Sequence, residues 1–116
     1  MLFTAPDLGR YISGAILFEE TLYQNHADGE SMVEKLNKQG IIPGIKVDKG
    51  AKQLANTGDE KITEGLDGLR DRLKEYYELG ARFTKWRAVI TIGENMPTAY
   101  CMSANAHALA RYAALC

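Results

Sequence analysis

The chain has 116 residues, 46% apolar and 25% charged, with three prolines and two cysteines, the composition of an ordinary globular chain rather than a disordered, collagen-like or disulfide-stapled one. Fourteen Lys and Arg against fifteen Asp and Glu leave a formal charge of −1, too balanced for a basic field that attracts nucleic acid or for an acidic interaction tail. Pro6, Asp7 and Arg10 interrupt the apolar start before a signal-peptide core forms, and no apolar run approaches the roughly 20 residues of a membrane helix.

The first apolar segment, Tyr11 to Phe18, lacks helical spacing and predicts a strand over 12–18 buried on both faces. Residues 19–30, with Glu19, Glu20, His26, Asp28 and Gly29, read as a loop. Ser31-Met32-Val33-Glu34 matches a capping box and Gly40 a left-handed stop, so a short helix is expected over 31–39. Ile41 to Asp48 is a second strand, with Pro43 and Gly44 tolerated near its start. Gly50, Asn56, Gly58 and Asp59 mark 49–61 as a long loop. Leu66, Leu69, Leu73, Tyr76 and Tyr77 recur at three and four and predict a helix over 63–79, stopped by Gly80. Residues 81–92 alternate between two faces and read as a third strand, with Lys85 and Arg87 on one of them. After the break at Gly93–Met96, Pro97 suits the first turn of a final helix over 97–116, whose small residues allow close packing.

Strands alternating with helices imply a single α/β domain with parallel strands joined by right-handed crossovers. Three such strands leave two hydrogen-bonding edges open, so association through those edges, or a longer chain that covers them, is expected.

Cations mark the candidate site. Lys46 stands near the end of the second strand, and Lys85 and Arg87, two apart, project from one face of the third. In parallel sheets the middle and carboxyl ends of strands form the wall of a ligand site, and a buried cation, such as one near the middle of the third strand, needs a compensating anion. The three could converge on a phosphate or an enolate-like anion. The alternative is a salt bridge to Asp48, Glu19 or Glu20. His26 and His107 sit in no metal-ligand pattern, so no metal and no cofactor are expected, and each is read as a loop or helix-surface residue. Cys101 and Cys116 form no CxxC pattern and read as helix-packing residues, which fits a reducing cytoplasm. The glycines at 40, 44 and 50 form no phosphate-binding loop.

Five segments in order carry a family resemblance: Gly14-Ala15-Ile16-Leu17-Phe18-Glu19-Glu20-Thr21-Leu22-Tyr23-Gln24, Gly44-Ile45-Lys46-Val47-Asp48-Lys49-Gly50, Gly65-Leu66-Asp67-Gly68-Leu69, Lys85-Trp86-Arg87 and Leu109-Ala110-Arg111-Tyr112-Ala113. With them the chain resembles class I fructose-bisphosphate aldolase, the metal-independent Schiff-base lyase of glycolysis. The resemblance implies a (β/α)8 barrel, of which these residues look like the second to fourth βα units, since a whole barrel takes about 250 residues. It implies that Lys46 lines the substrate site, that Lys85 binds substrate and assists carbon–carbon cleavage, and that Arg87 holds a sugar phosphate. Homo-oligomers are common in the family. The Schiff-base lysine and the Glu-Pro-Glu segment of later strands have no counterpart here, so the piece by itself is expected to be inactive. Ala51 and Gln53 stand where the family more usually has a larger apolar residue and a proline. A non-catalytic sugar-phosphate-binding or self-associating βα fragment is the competing expectation.

Overall fold

In the computed structural model, which describes residues 2–116, two 3-10 turns (Leu2–Thr4 and Leu8–Arg10) precede β1 (Gly14–Leu17), α1 (Glu19–Tyr23), α2 (Met32–Lys38) and β2 (Ile42–Lys46). Then come β3 (Ala51–Gln53), β4 (Lys61–Thr63), α3 (Leu69–Glu78), β5 (Phe83–Lys85) and α4 (Ala99–Leu115). The chain divides into two compact units, one of residues 2–47 and 72–85, the other of residues 48–71 and 86–116.

The first unit is built on a three-stranded parallel sheet in the order β1-β2-β5, the α/β arrangement expected from the alternation of elements. Gly14 pairs with Ile42, Ile16 with Gly44, Gly44 with Phe83 and Lys46 with Lys85. One face is covered. Leu17 and Ile45 are buried there, α2 packs against β2, and Met32, Val33 and Leu36 supply its apolar side. Each such buried aliphatic side chain contributes about 1.5–3 kcal/mol. The capping box closes as its sequence predicts: Ser31 Oγ accepts the Glu34 N–H at 3.1 Å, and Glu34 Oε2 accepts the Ser31 N–H at 3.0 Å. The other face differs from expectation. Ile16 is 45% exposed, Ile42 50% and Phe83 38%, so β1 is not buried on both sides.

The segment read as a loop over 19–30 begins with α1, whose first turn holds Glu19 and Glu20 at the positive end of the helix and whose Leu22 is buried. Tyr76 of α3, almost fully buried, donates its hydroxyl to Glu19 at 2.7 Å, and Tyr23 donates to Glu75. Burial, followed by the Glu19 bond, raises the Tyr76 pKa; the Glu75 bond pushes Tyr23 up to about 12.

The second unit corrects the expected loop over 49–61, because β3 and β4 form an antiparallel hairpin with Ala51 opposite Thr63 and Gln53 opposite Lys61. Asn56, at φ 62°, turns the chain, and Gln53 Nε2 donates to the carbonyls of Thr57 (3.2 Å) and Gly58 (3.0 Å). Three-residue, mostly polar strands carry no apolar alternation for a sequence reading to find. The helix expected over 63–79 begins only at Leu69, since Thr63 belongs to β4 and Gly65 (φ 133°) and Gly68 (φ 67°) hold conformations an α-helix excludes.

The strand expected over 81–92 stops at Lys85. Beyond it the chain is held by side chains instead of a ladder: the Arg87 N–H donates to Asp48 Oδ2 at 3.3 Å, and the Arg87 carbonyl accepts from Thr63 Oγ at 2.6 Å. Alternation along the sequence reports extended backbone but not its bonding partner. The last helix starts after, not at, Pro97. Thr98 is its N-cap, with Oγ accepting the Cys101 N–H at 3.1 Å. Asn105 of α4 donates to the Lys61 carbonyl at 2.9 Å and to the Cys101 carbonyl at 3.0 Å, which fastens α4 to β4. Trp86 stacks on Tyr112 with ring centroids 5.2 Å apart. Among the described residues no helix is long and apolar enough to cross a membrane.

Candidate functional site

Lys46 is the last residue of β2 and Lys85 the last of β5, and the two are register partners on adjacent parallel strands. Paired residues lie on one face of a sheet about 4.8 Å apart, so both stems leave the same carboxyl edge together. The final rung is the Val47 N–H donating to the Lys85 carbonyl at 3.1 Å. Both side chains are half-buried.

Arg87 belongs to the second unit. Its main chain is held at both polar groups by Asp48 and Thr63, while its side chain is exposed. Among the described residues its guanidinium makes no ion pair, so the link to Asp48 runs through the main chain. That removes the expected alternative of a salt bridge for Arg87. Asp48 is itself buried, and its Oδ1 accepts the Gly50 N–H at 3.1 Å. A sequence reading considers Asp48 as a salt-bridge partner; its role as a main-chain anchor has no sequence signal because the donor lies 39 positions away.

The other candidates fall in different surroundings. Glu19 accepts from Tyr76, and Glu20 from Gln24 at 3.4 Å. His26 Nδ1 lies 3.4 Å from Asp28 Oδ1 without the geometry of a hydrogen bond. Around it the loop before α2 is tied by charge: Lys35 reaches Asp28 at 2.6 Å and Glu30 at 3.1 Å, and Lys38 pairs with Glu30. Those bonds push the Asp28 carboxyl down to about 2, lower that of Glu30 and raise Lys35. His107 is exposed on α4 and, with Arg111, Lys49, Glu64 and Asp67, lines a cleft of the second unit where cations and carboxylates mix. Cys101 is buried, which raises its thiol pKa, and Cys116 is exposed; neither forms a disulfide.

One polar group of consequence gives no warning in the sequence. Glu60, 2% exposed, accepts both the main-chain N–H and the hydroxyl of Thr98, and these bonds lower its pKa despite burial. Thr98 after a proline is a legible cap, but nothing local marks Glu60 as its partner.

The family model described as glycolytic, fructose-bisphosphate aldolase class-I, matches residues 1–116. The chain is 64% identical over its whole length to the "Probable fructose-bisphosphate aldolase class 1" of Xanthomonas axonopodis pv. citri, of which it covers 35%. It is 57% identical to "Fructose-bisphosphate aldolase 4, cytosolic" of Arabidopsis thaliana, covering 30% of that protein. Among solved structures, 98% of the chain superposes on 33% of the Plasmodium falciparum fructose-bisphosphate aldolase, determined in complex with TRAP and a small-molecule inhibitor, with a TM-score of 0.95 and 52% identity. The chain thus spans about a third of the length of the curated relatives it matches. The fold held in common is α/β, parallel βα units of a (β/α)8 barrel that is not closed here.

Proposed function

The chain belongs to the class-I fructose-bisphosphate aldolase family, and from that membership we propose that it is the part of such an enzyme that supplies substrate-site cations. The reaction is reversible aldol cleavage of fructose 1,6-bisphosphate to dihydroxyacetone phosphate and glyceraldehyde 3-phosphate, by way of a Schiff base on a lysine outside the cation set described here. Lys46, Lys85 and Arg87 bind the sugar phosphate, and Lys85 also assists cleavage of the carbon–carbon bond.

The observation that carries this reading is the pairing of Lys46 with Lys85 at the carboxyl ends of adjacent parallel strands, the edge on which barrel enzymes place their sites. Covalent cleavage needs a ketone-condensing lysine, a proton-transfer group and phosphate anchors held together. The paired lysines and Arg87 account for the anchors and an auxiliary cation. The 116-residue piece alone is therefore inactive as a lyase, and its open edges at β1 and β5 favour association with copies or with the remainder of a barrel. A cytoplasmic setting follows from relatives named as cytosolic.

The test uses the 116-residue chain. Fructose 1,6-bisphosphate should raise its melting temperature and fructose should not. Borohydride reduction in the presence of dihydroxyacetone phosphate should leave no stoichiometric adduct on Lys46 or Lys85. A melting temperature indifferent to the bisphosphate discards the anion-site reading, and a specific adduct on either lysine discards the assignment of the Schiff base elsewhere.

A further inference from the structure

The face that carries Lys46 and Lys85 has a second row beneath them. Gly44 and Phe83 are register partners there, two residues before each lysine and so about 6.6 Å down the strands on the same face. The Phe83 ring does not stand up from its own strand. It lies across its neighbours: a Cβ built on Gly44 would come within 2.4 Å of Phe83 Cζ and 2.5 Å of Cε2, and one on Gly14 of β1 within 3.1 Å of Cε1. One aromatic ring thus spans all three strands, and it does so over glycines on both. Neither Gly14 nor Gly44 has a positive φ, so neither glycine is required by the backbone. The ring is what excludes a side chain at position 44.

We propose that Phe83 is a positioning residue for Lys46 and Lys85: laid flat over Gly44 and Gly14, its ring is the floor that sets where the two lysine stems stand. The proposal rests on the reading of those lysines as sugar-phosphate ligands. A ring held flat leaves the row above to the two cations; a side chain at position 44 would lift the ring edge toward them. The floor is also apolar, with no polar atom of its own to draw the lysine stems down onto the strands. Ile16, register partner of Gly44 on the far side, continues this apolar row to β1.

The geometry supplies a reciprocal test. The atoms that a Cβ at position 44 would strike are Cζ and the two Cε atoms of Phe83, all of which a leucine lacks. Gly44→Ala and Phe83→Leu should therefore each disturb the layer, while the double variant moves the volume from one strand to the next and restores it. The readout is competitive acylation of the 116-residue chain, quantified by mass spectrometry as the labelling of Lys46 and Lys85 relative to exposed Lys52 and Lys74, across a pH series and with or without fructose 1,6-bisphosphate. Each single variant should change the relative labelling of Lys85, Lys46 or both by about threefold or more, and the double variant should return toward the parent. Melting temperatures taken in parallel separate this from general loosening, in which the change in Lys46 and Lys85 labelling would track the fall in melting temperature across the variants. Unchanged Lys46 and Lys85 labelling in Gly44→Ala, or a change that Phe83→Leu fails to reverse, overturns the proposal. Absence of protection by the bisphosphate in the parent chain instead counts against the ligand reading, and the comparison among variants still decides the role of Phe83.

Discussion

Glu60 receives two hydrogen bonds from one residue, the main-chain N–H of Thr98 at 2.7 Å and its hydroxyl at 2.7 Å, while that same hydroxyl accepts the Cys101 N–H at 3.1 Å. The cap of α4 is thus oriented by a carboxylate from the turn before β4. Thr98→Ala should cost about 1 kcal/mol for the lost cap, and Thr98→Ser should restore it. The Glu60 pKa is lowered in the folded chain, so its contribution is present above the ordinary glutamate range and is lost as pH falls through the lower, folded value. Glu60→Gln should lower the melting temperature at neutral pH and flatten its decline in acid, as followed by circular dichroism.

Arg87 should be nearly silent in the absence of ligand. Its guanidinium is exposed and makes no ion pair among the described residues, so Arg87→Ala should change unliganded stability by less than about 0.5 kcal/mol. The same variant should reduce the stabilisation given by fructose 1,6-bisphosphate. A loss of roughly 3–5 kcal/mol without ligand would instead reveal a stranded buried partner. Paired thermal melts with and without the bisphosphate distinguish these outcomes.

Gly65 is constrained twice. At φ 133° it holds a conformation that favours glycine, and a Cβ there would lie 2.9 Å from the Lys49 main-chain nitrogen and 3.1 Å from Asp48 Cα. Main chain cannot move aside as a side chain can. Gly65→Ala should destabilise by about 2 kcal/mol or more, whereas Gly68→Ala, left-handed but facing open space, should cost about 1 kcal/mol. Urea unfolding of both variants gives the comparison.

The charged loop before α2 should yield to acid before the sheet does. Asp28 is pushed down to about 2, chiefly by Lys35, and Glu30 is lowered by Lys38 and then Lys35, so their stabilisation is complete above the usual carboxylate range; the Asp28 share disappears as pH falls toward 2 and the Glu30 share as pH falls through its lowered folded value. Lys35, raised by Asp28 and Glu30, retains its share up to and beyond the ordinary lysine range, then loses it as pH rises through the raised value. Lys35→Met should remove the acid-limb protection of loop amides in hydrogen exchange. Equal exchange in parent and variant between pH 3 and 6 would refute this.

Thiol titration should divide the cysteines. Cys101 is buried and its pKa is raised by that burial, while Cys116 is exposed. An aromatic disulfide reagent should modify Cys116 rapidly and Cys101 only on unfolding. Rapid reaction of both in the folded chain would contradict the packing of α4.

Local chemistry was readable wherever its cause lies within a few residues. The capping box at Ser31–Glu34, the stop at Gly40, the apolar runs that became β1 and β2 and the alternation of α and β all follow from side-chain type and spacing, and so does the family resemblance carried by the motif segments. The sequence also singled out Lys46 near the end of its strand and Lys85 near the middle of a longer one; the structure put Lys85 at the end of β5. Tertiary structure decided what depends on distant partners. It paired Lys46 with Lys85, ended β5 where Asp48 and Thr63 take over the main-chain bonds of Arg87, and built the β3–β4 hairpin from strands too short and polar to show a period. It also placed Glu60 under Thr98 and laid Phe83 over two glycines. The physical reason is the same in each case: a hydrogen-bonding group or a ring must find a partner, but the sequence near it does not say which of many distant groups the folded chain will bring within reach.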